Sequence, residues 1–224
     1  EAKALRFALA LGLPSARPGL PDDLQLGLVK AISARYQGLL DASACFPNGH
    51  AGGLLALDAA FRKLSQGGLD ACIVAGVDSY IEPETLEWLE ENDQLHSAGP
   101  LNNAWGFIPG EAAGALLLTR RANAHRMKFA PLARILSIGS AIETKRVKSE
   151  AVCIGEGLTD AFRAALRALP GSDRVTDVYC DLNGDPYRAD EYGFACLRAK
   201  ESFESATDFV APADCWGDVA AAGG

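Results

Sequence analysis

The residues of this 224-residue chain that could do chemistry are few and scattered. Its three histidines are His50, His96 and His125, and its six cysteines fall at positions 45, 72, 153, 180, 196 and 215. No two cysteines form CxxC, and none lies at zinc-finger spacing from a histidine, so no metal site is expected. Cys72, Cys153, Cys180 and Cys196 lie in apolar or mixed stretches, where cysteine behaves as a small hydrophobe. Free thiols in a reducing cytoplasm are therefore expected. The run Asp181-x-Asn183-x-Asp185 begins like a calcium loop, but Pro186 stands where glycine is needed and Tyr192 where a bidentate glutamate is needed. It reads instead as a turn in which short polar side chains bond the backbone. Asp78-Ser79 close an apolar run, a place where α/β folds put ligand sites and where a cap serves equally well. His50 could be the base of a hydrolase, although no Gly-x-Ser-x-Gly accompanies it. No phosphate loop and no cofactor motif is present.

The elements that would position these groups follow from periodicity and punctuation. Glu1 to Leu13 is rich in Ala and Leu and reads as a helix, ended by the Pro/Gly stretch 14–21. Asp22 or Asp23 can cap a second helix through about Ala34, and Gln37 to Asn48 reads as loop. Leu54, Leu57, Phe61 and Leu64 recur at spacings of three and four, the stripe of an amphipathic helix that stops at Gly67-Gly68. Ala71 to Gly76 is too short for a helix and reads as a buried strand. Pro83–Glu91, Gly157–Leu169 and Ala189–Arg198 are expected helices. Ala112–Leu118, Leu132–Ile138, Val175–Cys180 and the start of Phe209–Ala211 are expected strands. Helix and short strand alternate, which is the pattern of an α/β fold with a largely parallel sheet.

Composition sets the outer bounds. With 49% hydrophobic and 22% charged residues the chain is globular rather than disordered. A net charge of −8 without a Lys/Arg cluster argues against nucleic acid as a partner. Apolar runs such as Ala112–Leu118 fall far short of the roughly 20 residues of a membrane span. No cationic, apolar leader is visible, so a soluble cytoplasmic protein is expected.

Three stretches in order resemble the β-ketoacyl synthase branch of the thiolase-like superfamily. Gly49-His-Ala-Gly-Gly-Leu-Leu-Ala-Leu-Asp-Ala-Ala, followed by Gly68-Leu-Asp-Ala-Cys-Ile-Val-Ala-Gly-Val-Asp-Ser79, looks like the nucleophile helix of those enzymes and the next strand. Gly106-Phe-Ile-Pro-Gly-Glu-Ala-Ala-Gly-Ala-Leu-Leu-Leu118 is similar to their Gly-Phe-x-x-Gly-Glu-Gly-Ala region. Cys215-Trp-Gly-Asp-Val-Ala-Ala-Ala-Gly-Gly224 is similar to Lys-x-x-x-Gly-His-x-x-Gly-Ala-Ala-Gly. The resemblance implies a layered α-β-α-β-α sandwich in two halves, 1–128 and 129–224. The opening strand of the first half and the end of the second are expected to be missing from this sequence. A homodimer or a sister thiolase-like subunit is implied as partner, with acyl carrier protein or acyl-CoA as the molecules such a fold engages. The sequence also resembles degenerate thiolase-like proteins that accompany effectors of type VI secretion, which adds a secreted effector to the expected partners.

Catalysis in that family needs a cysteine at a helix N-terminus and two histidines that stabilise enolate and oxyanion. Counted back from Cys72, the nucleophile position falls on Ala51. The first histidine's place lies within Val178–Glu191, which holds none, and the second is taken by Asp218 after Gly217. Cys45, in an Ala-Cys start, is the one thiol that could substitute. Glu111 is expected, by the same resemblance, to be a buried structural carboxylate bonded to backbone. Two functions follow: a pseudoenzyme acting as a binding or accessory subunit, with a pocket lined by His50, Ala51, Phe107 and Asp218, or an active 3-oxoacyl-carrier-protein synthase using Cys45 in fatty acid or polyketide condensation.

Overall fold

The computed structural model describes residues 5–97, 103–147, 149 and 151–223. The chain divides into two compact units: Glu1–Glu91 with Pro109–Leu132 and Asp218–Gly224, and Asn92–Ile108 with Ala133–Gly217.

The first unit is built on a four-stranded sheet of β1 (Phe7–Leu13), β2 (Leu40–Pro47), β3 (Ala71–Ser79) and β4 (Glu111–Thr119), in the order β2-β1-β3-β4. β1 runs parallel to both of its neighbours, and β4 is antiparallel to β3. Two helices sandwich this sheet. Leu9, Leu11 and Leu13 pack with Leu28, Val29 and Ile32 of α1 (Leu24–Arg35) on one face. Ala8, Ala10, Cys72 and Val74 pack with Ala56, Ala60 and Leu64 of α2 (Gly52–Gln66) on the other. The two-residue alternation along each strand thus sorts side chains between the two helix layers. Leu54 of the sequence stripe is exposed, and the core face of α2 instead runs through Ala56, Ala60 and Leu64. The small alanines let the helix lie close to the sheet. Helices α3 (Pro83–Glu91) and α4 (Arg121–Met127) complete the unit.

Two expectations for this unit are corrected. The helix expected over Glu1–Leu13 falls partly on residues 1–4, which lie outside the described residues; at 7–13 it is replaced by an inner strand of the sheet, β1, buried on both faces and so without the polar alternation that betrays a strand. Gln37–Asn48 is not loop throughout, because Leu40–Pro47 forms edge strand β2, whose exposed Asp41, Ser43 and Pro47 disguise it.

The second unit packs α5 (Glu156–Leu166) against α6 (Pro186–Ala199). Phe162 meets Tyr192 edge-on at 6.5 Å and Phe203 at 6.0 Å, and Tyr192 meets Phe209 at 5.4 Å. Of the strands expected in the C-terminal half, none forms among the described residues. Val175 bridges Phe203 and Tyr179 bridges Val210, single pairings rather than ladders. The stretch after residue 132 lies across α5 instead of pairing: the Ser137 hydroxyl donates to the Ala165 carbonyl, and Gly139 packs directly on the Ala161 carbonyl. The last α-helix is the single turn α7 (Ala213–Trp216), which runs into the Cys215–Gly224 stretch.

α6 begins with a defined cap. The Asp185 carboxylate accepts from the Tyr187 amide at 2.9 Å, and Pro186 occupies the first turn, where no amide donor is lost. Asp185→Ala should therefore cost about 1 kcal/mol in urea denaturation. An unchanged midpoint would show that the helix start is held by packing alone.

Candidate functional site

The site is assembled in the first unit at the C-terminal ends of β1 and β3. Backbones approach here more closely than any side chain permits. A Cβ on Gly12 would lie 2.6 Å from the Gly52 carbonyl carbon, so β1 and the start of α2 touch main chain to main chain. A Cβ on Gly76 would lie 3.1 Å from the Ala222 Cα and would run into the Ala221 carbonyl oxygen, so the 218–223 segment lies flat on β3. Five residues, Gly12, Gly52, Gly76, Ala221 and Ala222, thus bring four segments together into one floor.

Two side-chain pairs fasten that floor. Asp78, whose side chain is fully buried, accepts from Arg17 Nη2 at 2.6 Å, from the Ser79 amide at 2.8 Å and from the Ala221 amide at 3.3 Å. Arg17 also donates to the Ser79 carbonyl at 2.6 Å and stacks on Tyr80, its guanidinium carbon 4.3 Å from the ring centre. One carboxylate therefore ties the 14–20 loop, β3 and the 218–223 segment together. In the second pair, His50 Nε2 lies 2.8 and 2.9 Å from the two oxygens of Asp218, which also accepts from the Ala220 amide at 2.8 Å. His50 sits in a single 3-10 turn, Gly49–Ala51, that leads directly into α2. A carboxylate only accepts, so Nε2 is the donor of this pair, and the tautomer with its proton there leaves the lone pair on Nδ1.

The expected site residues are distributed as follows. His50 and Asp218 are brought together. Ala51 is the N-cap of α2 and exposed. Phe107 is buried in the second unit, where it bridges Leu95. Cys45 lies on β2 opposite Leu11, and its side chain joins the cluster on the α1 face of the sheet. The next residue, Phe46, packs on the α2 face. The Cys45 thiol thus points to the side of the sheet away from α2, and burial pushes its pKa up, which disfavours the thiolate. Glu111 is a correction. It is exposed at the start of β4 and accepts from the Ser79 hydroxyl at 3.0 Å, since β4 is an edge strand with solvent at its end. Arg17 had no signal in the sequence, because its partner lies 61 residues away.

Asp181 pairs with Arg188, and Asn183 and Asp185 bond local amides, as a turn does. Among the described residues, Glu143, Cys153 and Glu191 come within ion-holding reach of one another. Glu143 is already engaged by the amides of Lys145 at 2.9 Å and Gly157 at 2.8 Å, a structural cap for α5.

A groove of about 180 Å³ runs beside the floor, lined by Gly53 and Leu57 of α2, Val74–Gly76 of β3, Gly114–Leu116 of β4 and Ala222. Its walls are mostly apolar.

Comparison with known proteins shows what the chain is similar to. Residues 42–124 match the family model of the β-ketoacyl synthase N-terminal domain, and the chain shares its fold with solved ketosynthases. A chain of the AntDE:AntF complex, a type II polyketide synthase acyl-carrier protein with its ketosynthase, superposes with a TM-score of 0.77 at 14% identity, over 96% of this chain and 62% of that one. A β-ketoacyl synthase from Burkholderia phymatum gives 0.70 at 13% identity, over 97% and 59%. The module 6 ketosynthase of the Bacillus subtilis bacillaene synthase gives 0.70 at 19%, over 97% and 41%. The chain thus spans roughly two-fifths to three-fifths of the length of these structures. No curated protein sequence matches it. Among the described residues, no helix is long and apolar enough to cross a membrane.

Proposed function

We propose that this chain is a ketosynthase-fold subunit without condensing chemistry, acting in the cytoplasm as a binding or accessory partner. The observation that supports this most is the start of α2. It presents Ala51, Gly52 and Gly53, while the neighbouring thiol, Cys45, faces the opposite side of the sheet with its pKa raised. The histidine positions of the family carry none, and Asp218 is committed to His50. A second copy or a sister thiolase-like subunit is the expected partner, with acyl carrier protein, acyl-CoA or a secreted effector as the molecule the pair engages.

Incubation with acyl-CoA and acyl-carrier-protein thioesters, followed by intact-mass measurement, tests the reading. No covalent acyl adduct is expected. A stable adduct that disappears in Cys45→Ala would make the protein an active condensing acyltransferase instead.

A further inference from the structure

We propose that His50 and Asp218 form a general-base dyad that hydrolyses short-chain acyl esters or thioesters by activating water, without a covalent intermediate. Three observations converge. The first is the ring's environment. Asp218 is 4% exposed and binds Nε2 through both oxygens, so the imidazole is held in one orientation, with no hydrogen-bond partner on Nδ1 among the described residues. A carboxylate behind an imidazole also stabilises the imidazolium that forms when Nδ1 takes a proton.

The second is direction. The 49–51 turn runs without a break into α2, so His50, Gly53 and Leu57, at spacings of three and four, share one face of a continuous helical run. Gly53 and Leu57 form the helical wall of the groove, so His50 stands at the end of that wall. Ala222, which lines the groove elsewhere, belongs to the same short segment as Asp218. The two segments that carry the dyad thus also build the groove.

The third is capacity. A groove of about 180 Å³ with mostly apolar walls compares with the roughly 150 Å³ cavity that accepts benzene. It suits an acyl chain of a few carbons rather than a long one.

The chemistry balances with water as the only co-reactant. Nδ1 of His50 takes a proton from water as the water oxygen bonds to the acyl carbonyl carbon. The bond from that carbon to the ester oxygen or thioester sulfur then breaks, and the departing group receives the proton from Nδ1. The products are a carboxylic acid and an alcohol or thiol, with no redox change.

Release of p-nitrophenol from p-nitrophenyl acetate, butyrate and octanoate, and of thiol from acetyl- and butyryl-CoA, tests this. Turnover above buffer is expected for the acetyl and butyryl substrates, with no acyl-protein species in the mass spectrum. His50→Gln and Asp218→Asn should each lower kcat by about 10²- to 10⁴-fold. Gly114→Leu, whose side chain would enter open space at the groove, should raise KM for butyrate more than for acetate. Circular dichroism of both dyad variants separates loss of a base from loss of the fold. If His50→Gln unfolds, the kcat of Asp218→Asn and the KM split of Gly114→Leu still decide. Absence of turnover in the folded wild type, or turnover unchanged in His50→Gln, overturns the dyad. Turnover lost in Cys45→Ala also overturns it, because the chemistry would then belong to the thiol. The adduct measurement decides the loss of condensation on its own, so the two readings fail separately.

Discussion

Asp78→Asn is expected to lower the free energy of unfolding by about 3–5 kcal/mol, the cost of leaving one partner of a buried ion pair alone. Side-chain exposure is 5% for Arg17 and zero for Asp78, so after the substitution the guanidinium keeps its charge with no carboxylate beside it and little water in reach. The asparagine oxygen can still accept one amide, which makes the test specific to charge rather than to hydrogen-bond count. Urea denaturation followed by circular dichroism measures the loss, and the thermal midpoint should fall by on the order of 10 °C. Because the pair is buried, added salt should change the result little. Arg17→Met combined with Asp78→Asn should be less damaging than Asp78→Asn alone, since the double variant removes the stranded charge. A loss below about 1 kcal/mol for the single variant would mean that the pair is solvated and that the floor of the site is not anchored through it.

Gly76→Ala is the second large effect. One methyl group there must displace either β3 or the 218–223 segment, because the Ala221 carbonyl and the Ala222 Cα occupy its volume. β3 is held on both sides, by β1 and β4, so the segment is the part that yields. Overpacking of this kind costs about 1–3 kcal/mol. Lifting the segment also withdraws the Ala221 amide from Asp78 and carries Asp218 away from His50. The variant should therefore lose stability together with any hydrolytic turnover. Gly114→Ala, on the neighbouring strand with nothing within 4 Å of its added carbon, is the control for packing and should keep its stability. Equal behaviour of the two variants would sink the close-packed floor.

How far the sequence foretold this arrangement varied with the locality of the signal. α2, β3, α3, β4, α5 and α6 were legible because periodicity, a glycine stop or an acidic start marks each within its own span. β1 escaped because Phe7–Leu13 is buried on both faces and its Ala/Leu content favours a helix, a local preference that sheet pairing overrides. β2 escaped because an edge strand can expose Asp41 and Ser43 without penalty. In the C-terminal half the opposite error arose: apolar runs at 132–138 and 175–180 looked like strands but found no ladder partner. The site shows the same division. Cys45, His50, Ala51 and Asp218 could be singled out by motif. That His50 and Asp218 meet, across 168 residues, and that Cys45 faces the far side of the sheet, are facts of tertiary register. A one-residue shift in β2 would have turned that thiol toward α2.

The placement of β1 between β2 and β3 has a consequence for how the molecule is born. During translation β1 emerges before its partners and waits with one hydrogen-bonding edge bare until the chain has grown past residue 47 and the other until it has passed residue 79. At about 5–20 residues per second that is several seconds, and synthesis from there to Asp218 adds roughly seven to thirty more before the latch to His50 can close. For that interval an apolar heptapeptide, Phe7–Leu13, is open to any passing strand. The nascent polypeptide is consequently the form most in need of a chaperone, and slowing synthesis should depress soluble yield more than any substitution on the finished surface.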